Sequence, residues 1–548
     1  VSTIRLTGLS GIDTEQMIKD LMKAERTRVD KVEQDKQRLQ WRQQLYNSIN
    51  KDFANFILNT KKEFGLTGTS YTGNMYSKSL SSLTWVKKAI SSNESVAKVS
   101  TTSGAINGSY EVKVHRLADG VKAASGANVD TDLNNILAGL NDGDTFEFKI
   151  NEKTITIDKT DNMSSIVKKI NSSDAGVQAS YDSSIGRLFM QTNTTGENAV
   201  LNISAVSGSK GESFINALQL NVTSYSSDGT KLTKNLSIGT EYNGVDALVD
   251  FAGATGIKQP TNQFTINGIS FDIKAEGTTT IKVDTDTDGV YDKIKGFVDQ
   301  YNEIVEKMGR LVGEKQYRDF SPLTKEQKEA MSEKEIELWE EKAKSGLLRN
   351  DSIISSTMQK VRSSLYASVE GIEDDSINAL YKIGISTEKW AAGSVGGKLE
   401  IDEEKLKKAI SENVDGVLEL LFKEAGPITQ TDADGNTTTV QGTGGVITRM
   451  YGLMIDGMKE VINKAGTGDE SSLFKSVSRN MLIEFVTVHG SISLLDEDVS
   501  DLNSRIDALN ADLIRTEDRY YQKFATMEKL VQQMNNQSSW IAQQLGGM

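Results

Sequence analysis

Both ends of this chain carry apolar residues at alternating steps of four and three, with no proline among them, and that pattern restricts the ends to long helices. Pro260, Pro322 and Pro427 all lie elsewhere. Near the C-terminus the seam runs through Leu495, Val499, Leu502, Ile506, Leu509, Leu513, Tyr520, Phe524, Met527, Val531 and Met534. It slips only around Thr516 and Glu517. Taking Glu517 as the seam residue gives two successive steps of four, a stutter that unwinds a supercoil locally without ending the helix. At roughly 1.5 Å per residue this helix is about 60 Å long. At the other end, Asp13 is placed to cap a helix, with Gln16 completing a capping box. One stripe then recurs at Ile18, Glu25, Val32, Leu39, Tyr46 and Phe53. Its companion, Leu21, Arg28, Asp35, Arg42, Ile49 and Phe56, is charged in the middle, so those turns are expected to be exposed or to wait for a partner.

After Phe64 the sequence changes character. Gly65, Gly68 and Gly73 stand among Ser and Thr, and alternation such as Ser109 to Val114 predicts strands as far as about residue 287. Within this region 148–157 matches 264–273 without a gap, and each copy reads as a β-hairpin, turning at Asn151-Glu152 or Asn267-Gly268. Two copies are too few for a solenoid and point to related hairpins in separate small β-domains. Helical spacing returns at Ile294, Phe297, Tyr301, Ile304, Met308 and Leu311, a third seam for stem packing against both terminal helices. Ser321-Pro322 breaks the chain, and Thr324/Gln327 and Ser332/Glu335 form two capping boxes before a charged helix around Trp339. A strand at 397–402 runs into a helix carrying Leu406 to Leu421, and Asp434-Gly435 reads as a hairpin turn.

The fold class expected is therefore α+β and multidomain: a terminal coiled-coil and helical-bundle stem with two β-rich domains inserted between the helical ends. The boundaries are 1–65 for the N-terminal leg and 66–125 for the first part of an inner β-domain. An inserted outer β-domain covers 126–254, return strands 255–287, a helical stem domain 288–494 and the C-terminal leg 495–548.

Composition narrows the chemistry. A formal net charge of -14 with no concentrated basic face argues against nucleic acid. Residues 1–65 carry 12 Lys and Arg against 9 Asp and Glu, whereas 496–548 carry 5 against 9, so the two ends differ in sign. No apolar run approaches the roughly 20 residues of a membrane helix, and 1–14 has neither region of a cleaved secretory signal. With 0 cysteines there is no disulfide framework, thiol catalysis or Cys-ligated zinc. Only His115 and His489 exist, too few for a two-His metal site once placed in separate regions. No nucleophile-elbow, zinc-protease or P-loop motif occurs, so the expectation is no enzyme, no cofactor and no metal. Asp284-Thr-Asp-Thr-Asp-Gly289 resembles the opening of a calcium loop, but position twelve is Lys295 and a strand precedes it. Strand exit followed by helix capping is the stronger reading.

The C-terminal seam ends among Gln532, Gln533, Asn535, Asn536, Gln537, Gln543 and Gln544, amides that a closed core rarely buries. The run Arg519 to Leu530, then Met534-Asn-Asn-Gln-Ser-Ser-Trp540, resembles the terminal signature of the flagellar filament capping proteins, the hook-associated protein 2 family. The segment Gly8 to Thr14 with Leu21 to Arg26 is similar to that family's opening, one residue shorter in its first turn. Phe297 to Asn302, and Gly384 to Thr387 before Gly397 to Leu399, match internal blocks in the same order.

The resemblance implies a ring-shaped homo-oligomer at the growing flagellar tip, which retains exported flagellin and guides its insertion. It further implies export without a cleaved signal and an extracellular location. The partners expected are flagellin, the hook-filament junction protein and a cytoplasmic export chaperone at the C-terminal helix, with host or surface glycans as partners of the β-domains on the adhesin alternative. Filament or subunit contacts are expected at Ile18, Leu21, Val32, Leu39, Tyr46, Val499, Leu502, Ile506, Leu509, Leu513, Tyr520, Phe524, Met527, Val531, Met534 and Trp540. A further expectation is that Arg28, Asp35 and Arg42 keep the N-terminal leg loosely packed. Adhesion through the β-domains, a hydrolase carried in the variable domain, and another axial flagellar protein are the competing readings.

Overall fold

The computed structural model describes residues 13–71, 75–141, 143–208, 210–372, 374–389, 396–431, 437–442, 444–466 and 493–545. Its helices in chain order are α1 (Thr14–Glu63), α2 (Asp130–Ala138), α3 (Met163–Asn171), α4 (Gly211–Ala217), α5 (Thr287–Gly313), α6 (Lys325–Glu329), α7 (Glu333–Lys344), α8 (Ser352–Tyr366), α9 (Glu403–Phe422), α10 (Val446–Ala465) and α11 (Leu494–Leu545). The chain divides into two compact units, one made of 1–78 with 291–548 and the other of 79–290. His489 lies outside the described residues, as does the Asp434-Gly435 turn between the paired strands Pro427–Thr431 and Thr437–Gln441.

The 79–290 unit holds two β-domains with separate cores. In the inner one, a five-stranded sheet runs in the order 254–259, 247–251, 108–116, 277–285, 87–91 and faces a three-stranded sheet of 263–266, 269–273 and 97–101. Alternation puts Val112, Val114, Val249, Phe251, Phe271, Ile281 and Val283 into its core. In the outer one, a five-stranded sheet ordered 231–235, 220–225, 122–125, 187–192, 177–182 accompanies a four-stranded sheet of 241–243, 200–205, 145–150 and 153–158. Phe146, Phe148, Ile166, Leu188, Phe214 and Val222 fill the space between.

The chain crosses between the two domains at a neck where Asp119 and Val245 exchange both backbone hydrogen bonds at 2.9 Å. This corrects the expected bounds of the insert, which were 126 and 254. Residues 122–125 pair with outer strands, while Ala247, Val249 and Phe251 face the inner core. Short runs on either side of a neck carry too little alternation to declare which sheet takes them. Gly244 sits at this neck, and an added Cβ would meet the Asp119 carbonyl oxygen at 2.5 Å.

The two matching hairpins fall one in each domain. Asn151 and Glu152 have φ of 45° and 70°, and Asn267 and Gly268 have 50° and 74°, as two-residue turns with two left-handed positions require. The acidic run ends one strand at Thr285 and starts α5 at Thr287, with the Gly289 amide donating to Asp286 Oδ1 at 3.4 Å. Capping is the role the structure gives this run, and Lys88 approaches the same carboxylate at 3.5 Å.

In the other unit, the last third of α1 is the centre of a helical stem. Phe56 and Phe64 pack on Phe297 of α5 at 5.7 and 5.8 Å, Phe64 meets Phe422 of α9 at 4.6 Å, and Phe56 meets Tyr451 of α10 at 6.3 Å. Ile294, Phe297, Tyr301, Ile304 and Met308 are buried and Leu311 is half-buried. Tyr301 donates to the Gly397 carbonyl at 3.2 Å. The Asn302 amide donates to the Leu399 carbonyl at 2.9 Å and accepts from the Leu399 amide at 2.7 Å. The third seam thus joins α1 to the 397–422 segment. Its expected service to both terminal helices is corrected in one respect: α10 packs on α11, and Gln43 of α1 ties the two by donating to the Ala465 carbonyl at 2.7 Å and to Asp496 at 2.8 Å. Both predicted capping boxes are present, Thr324 with Gln327 and Ser332 with Glu335.

Candidate assembly surface on the paired terminal helices

α1 starts where its cap predicts, with Asp13 accepting from the Gln16 amide at 2.9 Å; the Gln16 side chain turns instead to Asp20 at 3.0 Å, so the box is half formed. α11 starts with a reciprocal pair, the Ser493 amide donating to Asp496 Oδ2 and the Asp496 amide to Ser493 Oγ, each at 3.2 Å. The two helices run antiparallel. Gln43 donates to Asp496 at 2.8 Å, Val29 and Val32 share a buried cluster with Ile506, and Tyr520 donates to Glu25 at 3.5 Å. Thr14 donates to Glu528, also at 3.5 Å.

This register moves the α1 seam by one residue from the expected companion stripe. Val29 is buried and Met22 half-buried while Leu21 and Arg28 are exposed, and Gln43 on the same line reaches Asp496; from Ile49 and Phe56 onward the expected stripe is the buried one. A heptad stripe has neighbours at both +3 and +4, and periodicity alone does not choose between them. Of the charged middle turns, Arg28 is exposed and Asp35 and Arg42 are half-buried on the flank of the pair.

The flank has its own partners. Between α5 and α8 the chain folds back as a strap over α1. Gln34 donates to the Pro322 carbonyl at 2.7 Å, Arg38 to Ser321 Oγ at 2.9 Å, Lys23 lies 3.6 Å from Glu326, and the Lys344 ammonium stands 4.9 Å above the Trp41 ring. The strap is held by Phe320 against Trp339, whose indole N–H donates to the Ser321 carbonyl at 2.8 Å. Arg42 lies 3.6 Å from Asp351. The expectation of a loosely packed leg at Asp35 to Arg42 is therefore corrected: that stretch is clasped within the chain.

Of the expected contact residues, Ile18, Val32, Tyr46 and Ile506 are buried inside this chain and so are taken from any second molecule while the pair is intact. Tyr46 is fully enclosed; its hydroxyl donates to Asp351, and burial followed by that carboxylate pushes its pKa well above the ordinary phenol value. Leu39, Val499, Leu502, Leu509, Leu513, Tyr520, Phe524, Met527 and Val531 are half-buried along the seam, as are both stutter residues, Thr516 and Glu517. Leu21, Met534 and Trp540 are exposed. Two further exposed apolar residues, Leu530 and Ile541, escaped the sequence reading because a polar tail drew attention to its amides. Gln532, Gln533, Asn535, Asn536 and Gln537 are exposed beside them, and the side chains of Gln543 and Gln544 fall outside the described set.

Among the described residues the end of α11, from Gln532 on, is exposed along its length. Among the described residues Glu528 is the last of α11 bonded to α1, and α11 runs on for 17 residues past it, which at 1.5 Å per residue is about 26 Å of helix. Met534 is 67% and Trp540 60% exposed there. No helix among the described residues is long and apolar enough to cross a membrane.

Residues 244–536 match the family model for the flagellar hook-associated protein 2 C-terminus, residues 10–120 its N-terminus, and 139–195 the flagellin hook IN motif. The flagellar hook-associated protein 2 of Halalkalibacterium halodurans is 30% identical over 98% of this chain and 99% of its own length. That of Thermotoga maritima is 26% identical over 84% of this chain and 67% of its own. A crystal structure of the D1-D2-D3 domains of the Escherichia coli flagellar cap protein aligns over 75% of this chain and 94% of its own with a TM-score of 0.48 and 19% identity. With its C-terminal family match spanning more than half the sequence and a relative 30% identical over 98% of it, this chain belongs to the flagellar hook-associated protein 2 family, the caps of the flagellar filament.

Proposed function

We propose that the chain acts as a homo-oligomeric cap at the growing filament tip, holding exported flagellin there and promoting its insertion, with α11 beyond Glu528 as the segment that touches neighbouring molecules. The observation that carries this assignment is the helical overhang: Leu530, Met534, Trp540 and Ile541 expose apolar surface on a helix that has already spent its earlier seam on α1. The chemistry on this reading is that of packing, with no reaction catalysed.

On the same reading the hook-filament junction protein is the first surface the cap meets. An export chaperone takes the C-terminal helix in the cytoplasm before export through the type III channel, and surface glycans fall to the β-domains. The test is genetic. Removal of the gene should release flagellin monomers into the medium, and a version ending after Leu495 should fail to restore filaments. Normal filaments without the gene would refute the cap; restoration by the shortened version would refute the role of α11.

A further inference from the structure

The outer five-stranded sheet has a solvent face unlike the rest of its domain. Strand 122–125 runs through its middle and presents only Ala124 between Phe189 on one neighbour and Asn221 on the other. The missing bulk leaves a groove of about 570 Å³, within the range of small-molecule sites. Gln191 and Gln178 stand opposite each other on the next two strands, and Ser180 opposite Phe189. Phe189 is 41% exposed in an otherwise amide-bearing and hydroxylic surface.

Among the described residues the side chains of Gln178, Ser180, Gln191 and Asn221 have no hydrogen-bond partner. Elsewhere in this domain the amides are used: Asn151 bonds the backbone of Ala175, Val200 and Asn202, and Asn171 both backbone groups of Ala179. The one cation in the groove, Lys122, is 3.0 Å from Asp119 and so is neutralised.

We propose that this face binds a neutral saccharide, with a sugar ring on Phe189 over Ala124 and its hydroxyls shared by Gln178, Gln191 and Asn221. A planar amide can donate to one hydroxyl and accept from its neighbour, and an exposed ring offers its π-face to the C–H face of a pyranose. A phosphate or nucleic-acid ligand would meet no free cation here, and an apolar protein partner would leave the amides unpaired. The proposal rests on the surface-glycan reading of the β-domains and not on capping, so either can fail alone.

The test is calorimetric titration of the full chain with maltotriose, triacetylchitotriose, galactotriose and sialyllactose as probes. One or more of the neutral probes should bind at millimolar concentration or tighter. Phe189→Ala should weaken that binding about tenfold, and Gln191→Leu should weaken it as well. Thr265→Ala, on the inner three-stranded sheet, should leave it unchanged. Phe189 lies outside the core, so circular dichroism of the variant should match the parent. Absence of binding by every neutral probe at about 10 mM, preference for the sialylated one, or binding indifferent to Phe189→Ala would each overturn the proposal.

Discussion

The hydroxyl of Tyr46, in the interior of α1, donates to the buried carboxylate of Asp351, which caps α8 by accepting from the Ile353 and Ile354 amides at 3.1 and 3.2 Å. Arg42 and Lys464 flank the same carboxylate at 3.6 and 3.9 Å. This point divides α1: from Tyr46 onward its buried face packs in the stem, and before it the helix pairs with α11. Tyr46→Phe removes a donor from a buried carboxylate and should cost about 1–3 kcal/mol. Asp351→Ala also takes the cap and strands two cations, and should cost about 3–5 kcal/mol. Urea denaturation measures both, and a double-mutant cycle showing additivity would disprove the coupling.

The strap predicts local rather than global stability. Arg38→Ala combined with Trp339→Ala should raise amide exchange across 23–41 by about tenfold, which corresponds to some 1.4 kcal/mol of lost protection, while 46–63 keeps its rate. Unchanged exchange in 23–41 would mean the strap is decoration.

Helix register is testable by comparing neighbours. Val29 is 1% exposed and Leu21 is 38% exposed. Val29→Ala should destabilise the leg by about 1–2 kcal/mol, and Leu21→Ala by less than about 0.5. Circular dichroism during thermal unfolding ranks them; the reverse order would restore the stripe that periodicity favoured.

The two hairpin turns differ at one position. Glu152 holds φ of 70° where its counterpart is Gly268. Glu152→Gly should stabilise by about 0.5–1 kcal/mol because a side chain is strained in this region. Gly268→Ala should cost more than that, since its Cβ would also meet the Ala105 amide nitrogen at 2.6 Å. Denaturation midpoints decide the signs.

Acid sensitivity has an identifiable contributor. The Thr160 hydroxyl, then Lys169 at 3.1 Å, hold the Asp158 carboxyl down at about 2. A depressed carboxylate contributes stability above its unfolded pKa, near 4, and that contribution disappears as pH falls from 4 through 2. Carbonyl NMR of Asp158 should titrate near 2, and Thr160→Val should raise the midpoint. A midpoint near 4 in the parent would refute the local network.

By itself the sequence determined the long helical ends and the β-rich middle, because period, caps and turn residues act within a few positions of one another; α2, α3 and α4, short helices within the stretch expected to be strands, carry too few turns to show a period. Asp13, Thr324, Ser332 and both Asn-led hairpins are local chemistry, readable before any contact is known. It also carried the family likeness, through Tyr301-Asn302 and Gly397 to Leu399, and the structure supplies the reason those blocks belong together: Asn302 replaces a strand partner for Leu399.

Tertiary structure alone decided which neighbour each face meets. Whether α1 turns Leu21 or Met22 toward α11, and whether Arg38 is loose or clasped, depends on partners nearly 300 or 500 residues away. The same holds at the neck, where Lys122 to Ser125 crosses into the outer sheet. Burial is a property of the pair and not of the residue, so the seam of α11 is legible as apolar from its period alone, whereas the exposure of Met534 and Trp540 on its last turns is decided only in the folded chain.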